Sequence, residues 1–223
     1  MKKLLFLFLF LLPTISFSQY LSVDDVNKVL ENGTADFKSR ANIIKQDLPL
    51  DKNGGITYVE IVEAPNKTKV QLYVTLNAWF LRNFDSKSII LNDKEIGCIM
   101  AKLEFHKITA NGAFSSSNTN YEVDIEPIIR ADIKDGKVRI TYNVPSYELR
   151  DVTGQVWGRQ AFKKDKSRSL SISESYPYNS KGFEKKMMSK ALVFTHQFSL
   201  IVVEDIKEAI KQGVTGNEAD DNW

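Results

Sequence analysis

The sequence predicts an α+β fold, an antiparallel sheet with helices packed on one face. Three observations predict it. Two stretches of strict apolar/polar alternation flank Asp135-Gly136. An aromatic-rich segment of helical period runs from Lys67 to Phe84. A second helical stripe runs from about Gly182 to Gln212. Alternation is the mark of a half-buried strand and three/four spacing that of an amphipathic helix.

The chain has 223 residues. It opens on Lys2 and Lys3, an unbroken Leu/Phe run from Leu4 to Leu12, Pro13, and then Ser16-Phe17-Ser18. That is the three-part pattern of an export signal cleaved after Ser18. The run is too short to cross a bilayer, which takes about 20 apolar residues, although an uncleaved N-terminal anchor is the alternative. No later stretch is apolar enough to span a membrane. Basic and acidic residues number 30 and 28, and loss of Lys2 and Lys3 would make the exported chain formally neutral. A neutral chain has no global electrostatic reason to bind nucleic acid or anionic membrane. Export permits disulfides, but Cys98 is the only cysteine and cannot form an internal one. Within Ile96-Gly97-Cys98-Ile99-Met100 it reads as a small buried hydrophobe.

After the signal, residues 19–47 are expected to form an N-terminal helical segment. Ser22 to Glu31 reads as a short helix with Ser22 as cap and Asp24 and Asp25 in its first turn, ended by Gly33. Thr34 to Asp47 is ambiguous, partly helical. A main domain is expected over 48–212. Leu48 to Gly55 is a turn, because Asn53-Gly54-Gly55 tolerates positive φ. Ile56 to Val62 is β-branched, aromatic and short, and reads as a strand. Pro65-Asn66 stops it, with Asn66 placed to cap the next helix. Over Lys67 to Phe84, the residues Leu72, Tyr73, Leu76, Trp79, Phe80 and Phe84 fall on one face that must bury against a sheet.

Strands are expected at Ser88 to Leu91 and Ile96 to Ile108, and a polar loop at Asn111 to Asn120. Val123, Ile125, Ile129, Ala131 and Ile133 alternate with Glu122, Asp124, Arg130 and Asp132; Val138, Ile140, Tyr142 and Val144 follow the same rule after Asp135-Gly136. This pattern predicts a tight hairpin, apolar on one face and charged on the other. Arg150 to Lys190 holds ten basic residues against four acidic ones and is expected to be mostly a surface loop, a basic insertion at about 150–182. The final stripe includes Met187, Met188, Phe194, Phe198, Val202 and Ile206, with Gly213 as C-cap. Residues 213–223 read as a polar tail.

The order strand, aromatic helix, antiparallel strands and long C-terminal helix resembles an exported bacterial family of domains of unknown function described as having a TATA-binding-protein-like fold. Ile56 to Val62, the Ala78-Trp79-Phe80 centre of the helix, Ile96-Gly97-Cys98-Ile99 and the hairpin Asp132 to Arg139 carry the resemblance, which covers roughly Leu48 to Leu149. It implies a TBP-like sheet. The family carries no established activity, so the resemblance implies no site residues, and the fold name does not imply DNA binding. The basic stretch after Arg150 departs from the family pattern.

The sequence offers no catalytic constellation. His106 and His196 are the only histidines, and neither has a second ligand at zinc-site spacing. There is no nucleophile elbow around Ser175, no phosphate loop and no dinucleotide glycine cluster. Glu122, Asp124 and Glu126 alternate on one strand face and read as a solvated edge rather than a calcium or acid/base site. Asn32-Gly33-Thr34 and Asn66-Lys67-Thr68 match the glycosylation acceptor pattern, which also arises by chance. The basic insertion could contact an anionic envelope polymer or lipid headgroups through Lys163, Lys164, Lys166 and Arg168, because clustered cations raise the local potential. No cofactor and no metal are expected. The reading that follows is an exported, non-catalytic binding or scaffold module of the periplasm or envelope of a Gram-negative bacterium, with an envelope protein or anionic polymer as partner. The alternatives are an envelope hydrolase with an unrecognised carboxylate site, or a peripheral membrane protein using Lys163 to Arg168.

Overall fold

The structure, a computed structural model, describes residues 37–48, 50–110, 120–152, 167–182 and 184–213. The expected signal, the helix expected at Ser22 to Glu31, the loop residues 111–119, Lys163, Lys164, Lys166 and the tail after Gly213 lie outside these residues.

Three helices are described: α1 (Phe37–Asp47), α2 (Lys69–Asn83) and α3 (Lys185–Gln212). The strands are β1 (Ile56–Glu63), β2 (Ile89–Asp93), β3 (Cys98–Lys102), β4 (Phe105–Ala110), β5 (Asn120–Ile125), β6 (Ile128–Lys134), β7 (Lys137–Val144), β8 (Ser146–Val152) and β9 (Ser167–Ser171). They form a five-stranded ladder β1-β7-β6-β3-β2 and a four-stranded ladder β4-β5-β8-β9, antiparallel throughout. The α+β class with helices on one face therefore holds.

The two ladders are halves of one bent sheet. Cys98 pairs with Asp132, and Phe105 pairs with Ile125. The seven-residue steps match, so β3–β4 and β6–β5 keep one register through the bend. The expected strand from Ile96 to Ile108 is therefore interrupted at Leu103-Glu104 rather than absent. Along the hairpin, Ile128 pairs with Asn143 and Ile125 with Tyr147. Three residues on one side face four on the other, a one-residue bulge beside Pro145. Pro127 and Pro145 lack the N–H a ladder needs, and both mark the seam. Leu103 N–H donates to Pro127 O across it at 2.8 Å.

The hairpin turns on Asp135-Gly136, with Lys134 opposite Lys137 and Gly136 at φ +73°, which glycine adopts without a Cβ penalty. Its tip also starts α2. Gly136 N–H donates to Lys67 O at 2.9 Å, and Asp135 Oδ1 accepts the Lys69 amide at 2.7 Å. The N-cap of α2 is Thr68, not Asn66. Thr68 and Gln71 form a reciprocal capping box, which satisfies two otherwise orphan amides. The buried face of α2 is Leu72, Thr75, Leu76, Trp79 and Phe80.

The helix α3 lies across the same sheet face. Met187, Met188, Phe194, Phe198, Val202 and Ile206 are buried, so its Met pair is core. It ends at Gly213, φ +77°. In the ambiguous Thr34 to Asp47 stretch, the described residues Phe37–Asp47 are the helix α1. Phe37 packs edge-on to Phe194 of α3, ring centres 5.9 Å apart. The basic stretch after Arg150 is not a surface loop throughout. Residues 167–171 are a strand on β8, and Ile172 behind it is wholly buried. Charge and serine content concealed the inward Leu170 and Ile172.

Candidate functional site

The helix-free face of the sheet carries alternate residues of each strand, and its charges pair with one another. Asp132 takes Arg130 Nη2 and Arg139 Nη2, both at 2.7 Å. Lys102 meets Glu126 at 2.6 Å. The most constrained group is Asp124 on β5, only 5% exposed. Burying a carboxylate requires partners for its charge, and three groups converge on it. Arg150 Nε of β8 lies 2.6 Å from Oδ2, and Arg150 Nη2 donates to Oδ1 at 3.1 Å. The Lys107 amide donates to Oδ1 at 2.6 Å, and His106 Nδ1 stands 3.2 Å from Oδ2. Glu122 joins the cluster, with Arg150 Nη2 at 3.1 Å and Lys107 Nζ at 3.2 Å.

The backbone is bent to make this possible. Lys107 has φ +53°, and the β4–β5 register shifts between Phe105 and Thr109. This is a bulge that re-aims an amide, here out of the ladder and into the Asp124 carboxylate. Non-glycine residues with positive φ are uncommon and costly; the charged hydrogen bond offsets that cost. Asp124 is thus no solvated edge residue, which corrects the sequence reading of Glu122, Asp124 and Glu126. That reading also missed the conjunction of His106, Asp124 and Arg150, three residues on adjacent strands.

His106 and Glu104 border a groove of about 550 Å³ at the seam, between the end of α2, the start of β2 and α3. Trp79, Phe84, Phe105 and Leu103 give it an apolar lining, with Asn83 and Lys102 among the polar groups. The aromatic walls are fixed. Trp79 Nε1 donates to Asp205 Oδ2 at 2.7 Å, and Phe105 stacks on Phe198 at 5.0 Å. The volume is within the range of small-ligand clefts, roughly 300–1,000 Å³. The His106 Nε2 atom stands 3.7 Å from Glu104 Oε2, so the imidazole sits between two carboxylates. Among the described residues, no three His, Cys, Asp or Glu side chains gather as a metal site.

The other sequence candidates are dispersed. Arg168 lies exposed on β9, opposite Leu149. Cys98 is buried, and desolvation pushes its thiol pKa up. Ser175 is buried with its hydroxyl donating to Ile172 O at 2.8 Å. Asn66 is exposed in the turn before α2.

His196 of α3 is stacked on Tyr58 of β1, ring centres 6.0 Å apart, with Nδ1 3.2 Å from the Tyr58 hydroxyl. Burial lowers its pKa, partly opposed by Asp47. The unfolded chain therefore binds this proton more readily than the folded one, and stability falls as pH drops below about 6.5. Denaturation midpoints measured from pH 7.5 to 5 should decline. In His196→Gln the decline over that interval should shrink; an unchanged slope would refute the assignment to His196.

Residues 58–148 match the family described as a domain of unknown function (DUF4468) with TBP-like fold. Among solved structures, the chain is similar to a TBP-like protein from Parabacteroides distasonis, with TM-score 0.51 and 15% identity over 74% of this chain and 98% of that one. It is also similar to a DUF4468 family protein from Bacteroides ovatus, with TM-score 0.49 and 16% identity over 73% and 90%. No curated protein matches. At 15% identity the likeness to the Parabacteroides distasonis protein is one of fold.

Proposed function

We propose that the chain, whose residues 58–148 match the family described as a domain of unknown function (DUF4468) with TBP-like fold, is an exported, non-catalytic binding module of the periplasm or envelope of a Gram-negative bacterium, and that it receives a protein partner in the seam groove. The three-part pattern at Lys2 to Ser18, that expected of an export signal, supports the location. The observation that carries the binding role is the groove itself, with a rigid aromatic lining and a rim, Glu104 and His106, tied to the Asp124 cluster. Pre-set apolar walls with a few oriented polar groups are what specific binding needs.

The helix-free face supports a partner of mixed charge rather than a polyanion. Arg130, Arg139, Arg150, Lys102 and Lys107 each already meet a carboxylate, whereas phosphate backbones are held by cations that are free to engage them. Among the described residues no hydroxyl or thiol nucleophile is paired with His106, whose second nitrogen faces Glu104.

The test is capture of a partner from the native envelope fraction with the chain and with Glu104→Lys and His106→Ala. Both variants should lose the partner at unchanged melting temperature. Turnover of an envelope glycan or peptide, abolished by His106→Ala, would overturn the non-catalytic reading. Capture equal to the parent in both variants would remove the groove.

A further inference from the structure

The helix α2 is apolar on its outward face as well as its inward one. Val70, Val74, Ala78 and Leu81 recur at helical spacing on the side opposite Leu72 and Trp79, so they form one stripe. Val70 is 53% exposed, Val74 48% and Leu81 53%. A surface helix normally sets polar residues on this side, and a contiguous exposed apolar patch marks a contact surface. The stripe shares no residue with the seam groove and does not depend on its role.

The first turns of α2 and the end of α3 enclose a second groove of about 430 Å³, lined by Val70, Val74, Lys67, Lys211 and Gly213 among others. Lys67 holds this groove in shape. Its Nζ donates to Lys211 O at 3.0 Å and to Ile210 O, which ties the start of α2 to the last turn of α3. A cation there also meets the negative end of the helix dipole.

We propose that the stripe is covered by the segment that follows α3 in the same chain, Val214 to Trp223. Position, reach and charge select this occupant. Gly213, the last described residue, lines the second groove, so Val214 leaves from its rim, and a short tether gives the segment a high effective concentration there. Val70 to Leu81 spans about 16 Å of helix. An extended chain covers that distance in about five residues, so Glu218 and the residues after it come level with Leu81. The segment carries Glu218, Asp220 and Asp221 and no Lys or Arg. Among the described residues, the cations at the two ends of the stripe, Lys211 and Arg82, meet no carboxylate at ion-pair distance. The segment supplies carboxylates to both, sets Val214 on Val70 and Val74, and lays Trp223 against Leu81. Burial of these apolar groups offsets the entropy lost in ordering the segment.

The test uses the full chain and a soluble neutral paramagnetic chelate that broadens exposed methyl resonances. Val59 and Ile61 on the sheet, 57% and 59% exposed, are the internal standard. In the parent, the methyls of Val70, Val74 and Leu81 should broaden about twofold or more less than those of Val59 and Ile61, as expected of a mostly docked segment. Replacing Glu218, Asp220 and Asp221 together by Lys should remove that protection. Adding Arg82→Glu and Lys211→Glu to the same chain should restore it. Broadening of the stripe equal to that of Val59 and Ile61 in the parent overturns the proposal, as does protection that survives the triple Lys variant. Protection that rises with protein concentration would assign the stripe to a second copy and overturns it too.

Discussion

Replacing Asp124 by Ala should lower the unfolding free energy by about 2–3 kcal/mol, a fall of roughly 5–10 °C in Tm for a chain of this size. The loss has two sources. The Arg150 guanidinium, two-thirds buried, would lose the carboxylate nearest its Nε and keep Glu122 as a charge partner. The Lys107 amide would also lose the only carboxylate that its strained φ serves. Arg150 is partly solvated, which is why the estimate stays below the roughly 3–5 kcal/mol of a fully buried broken pair. Asp124→Asn keeps an acceptor for the Lys107 amide and should lose less than the Ala variant. Thermal melts of the two variants decide the matter. A loss below about 0.5 kcal/mol in Asp124→Ala would mean the cluster is an ordinary exposed ion-pair set, and the rim of the groove would lose its rigid support.

The largest effect should come from Phe80→Ala, about 3–5 kcal/mol. Phe80 is wholly buried at the junction of α2 and the sheet. Its ring meets Trp79 edge-on at 5.2 Å and Phe84 at 5.9 Å. Truncation removes the transfer energy of the ring and leaves a cavity that Leu76 and Trp79, held by the helix and by Asp205, are poorly placed to fill. Against a total stability of about 5–15 kcal/mol, this is a third or more of the margin. Denaturant midpoints at constant slope would measure it. A loss under about 1.5 kcal/mol would show that α2 is not the principal clamp on the five-stranded half of the sheet. Tyr73→Ala, on the half-exposed flank of the same helix, is the matched control and should cost much less.

The aromatic face of α2 and the Asp135-Gly136 hairpin were legible because each is a local pattern with one physical reading. A face of Leu72, Leu76, Trp79 and Phe80 has to be buried, and Asp-Gly between alternating strands has to turn. The Asp124 cluster was not legible, for a reason that can be stated residue by residue. Extending the hairpin register straight down from Lys134 opposite Lys137 would set Glu122 opposite Leu149 and Asp124 opposite Tyr147. The extra residue beside Pro145 instead places Glu122 opposite Arg150 and Asp124 opposite Glu148. A one-residue slip exchanges the two faces of a strand, so charge pairing across β5 and β8 could not be read without the bulge. His106 was hidden similarly, by a bulge at Lys107 that composition does not announce. Arg168 to Ile172 was misjudged because serines and arginine masked two inward apolar residues.

The passage of three long strands across the bend has a thermodynamic consequence. Neither half can shed its strands without stripping hydrogen bonds from the other, since β3–β4, β5–β6 and β7–β8 each belong to both. The chain should therefore melt as one cooperative unit. Fluorescence of Trp79 beside the five-stranded half, with Trp157 and Trp223 replaced by Phe, and amide exchange of Val123 and Leu149 in the four-stranded half should report a single all-or-none transition.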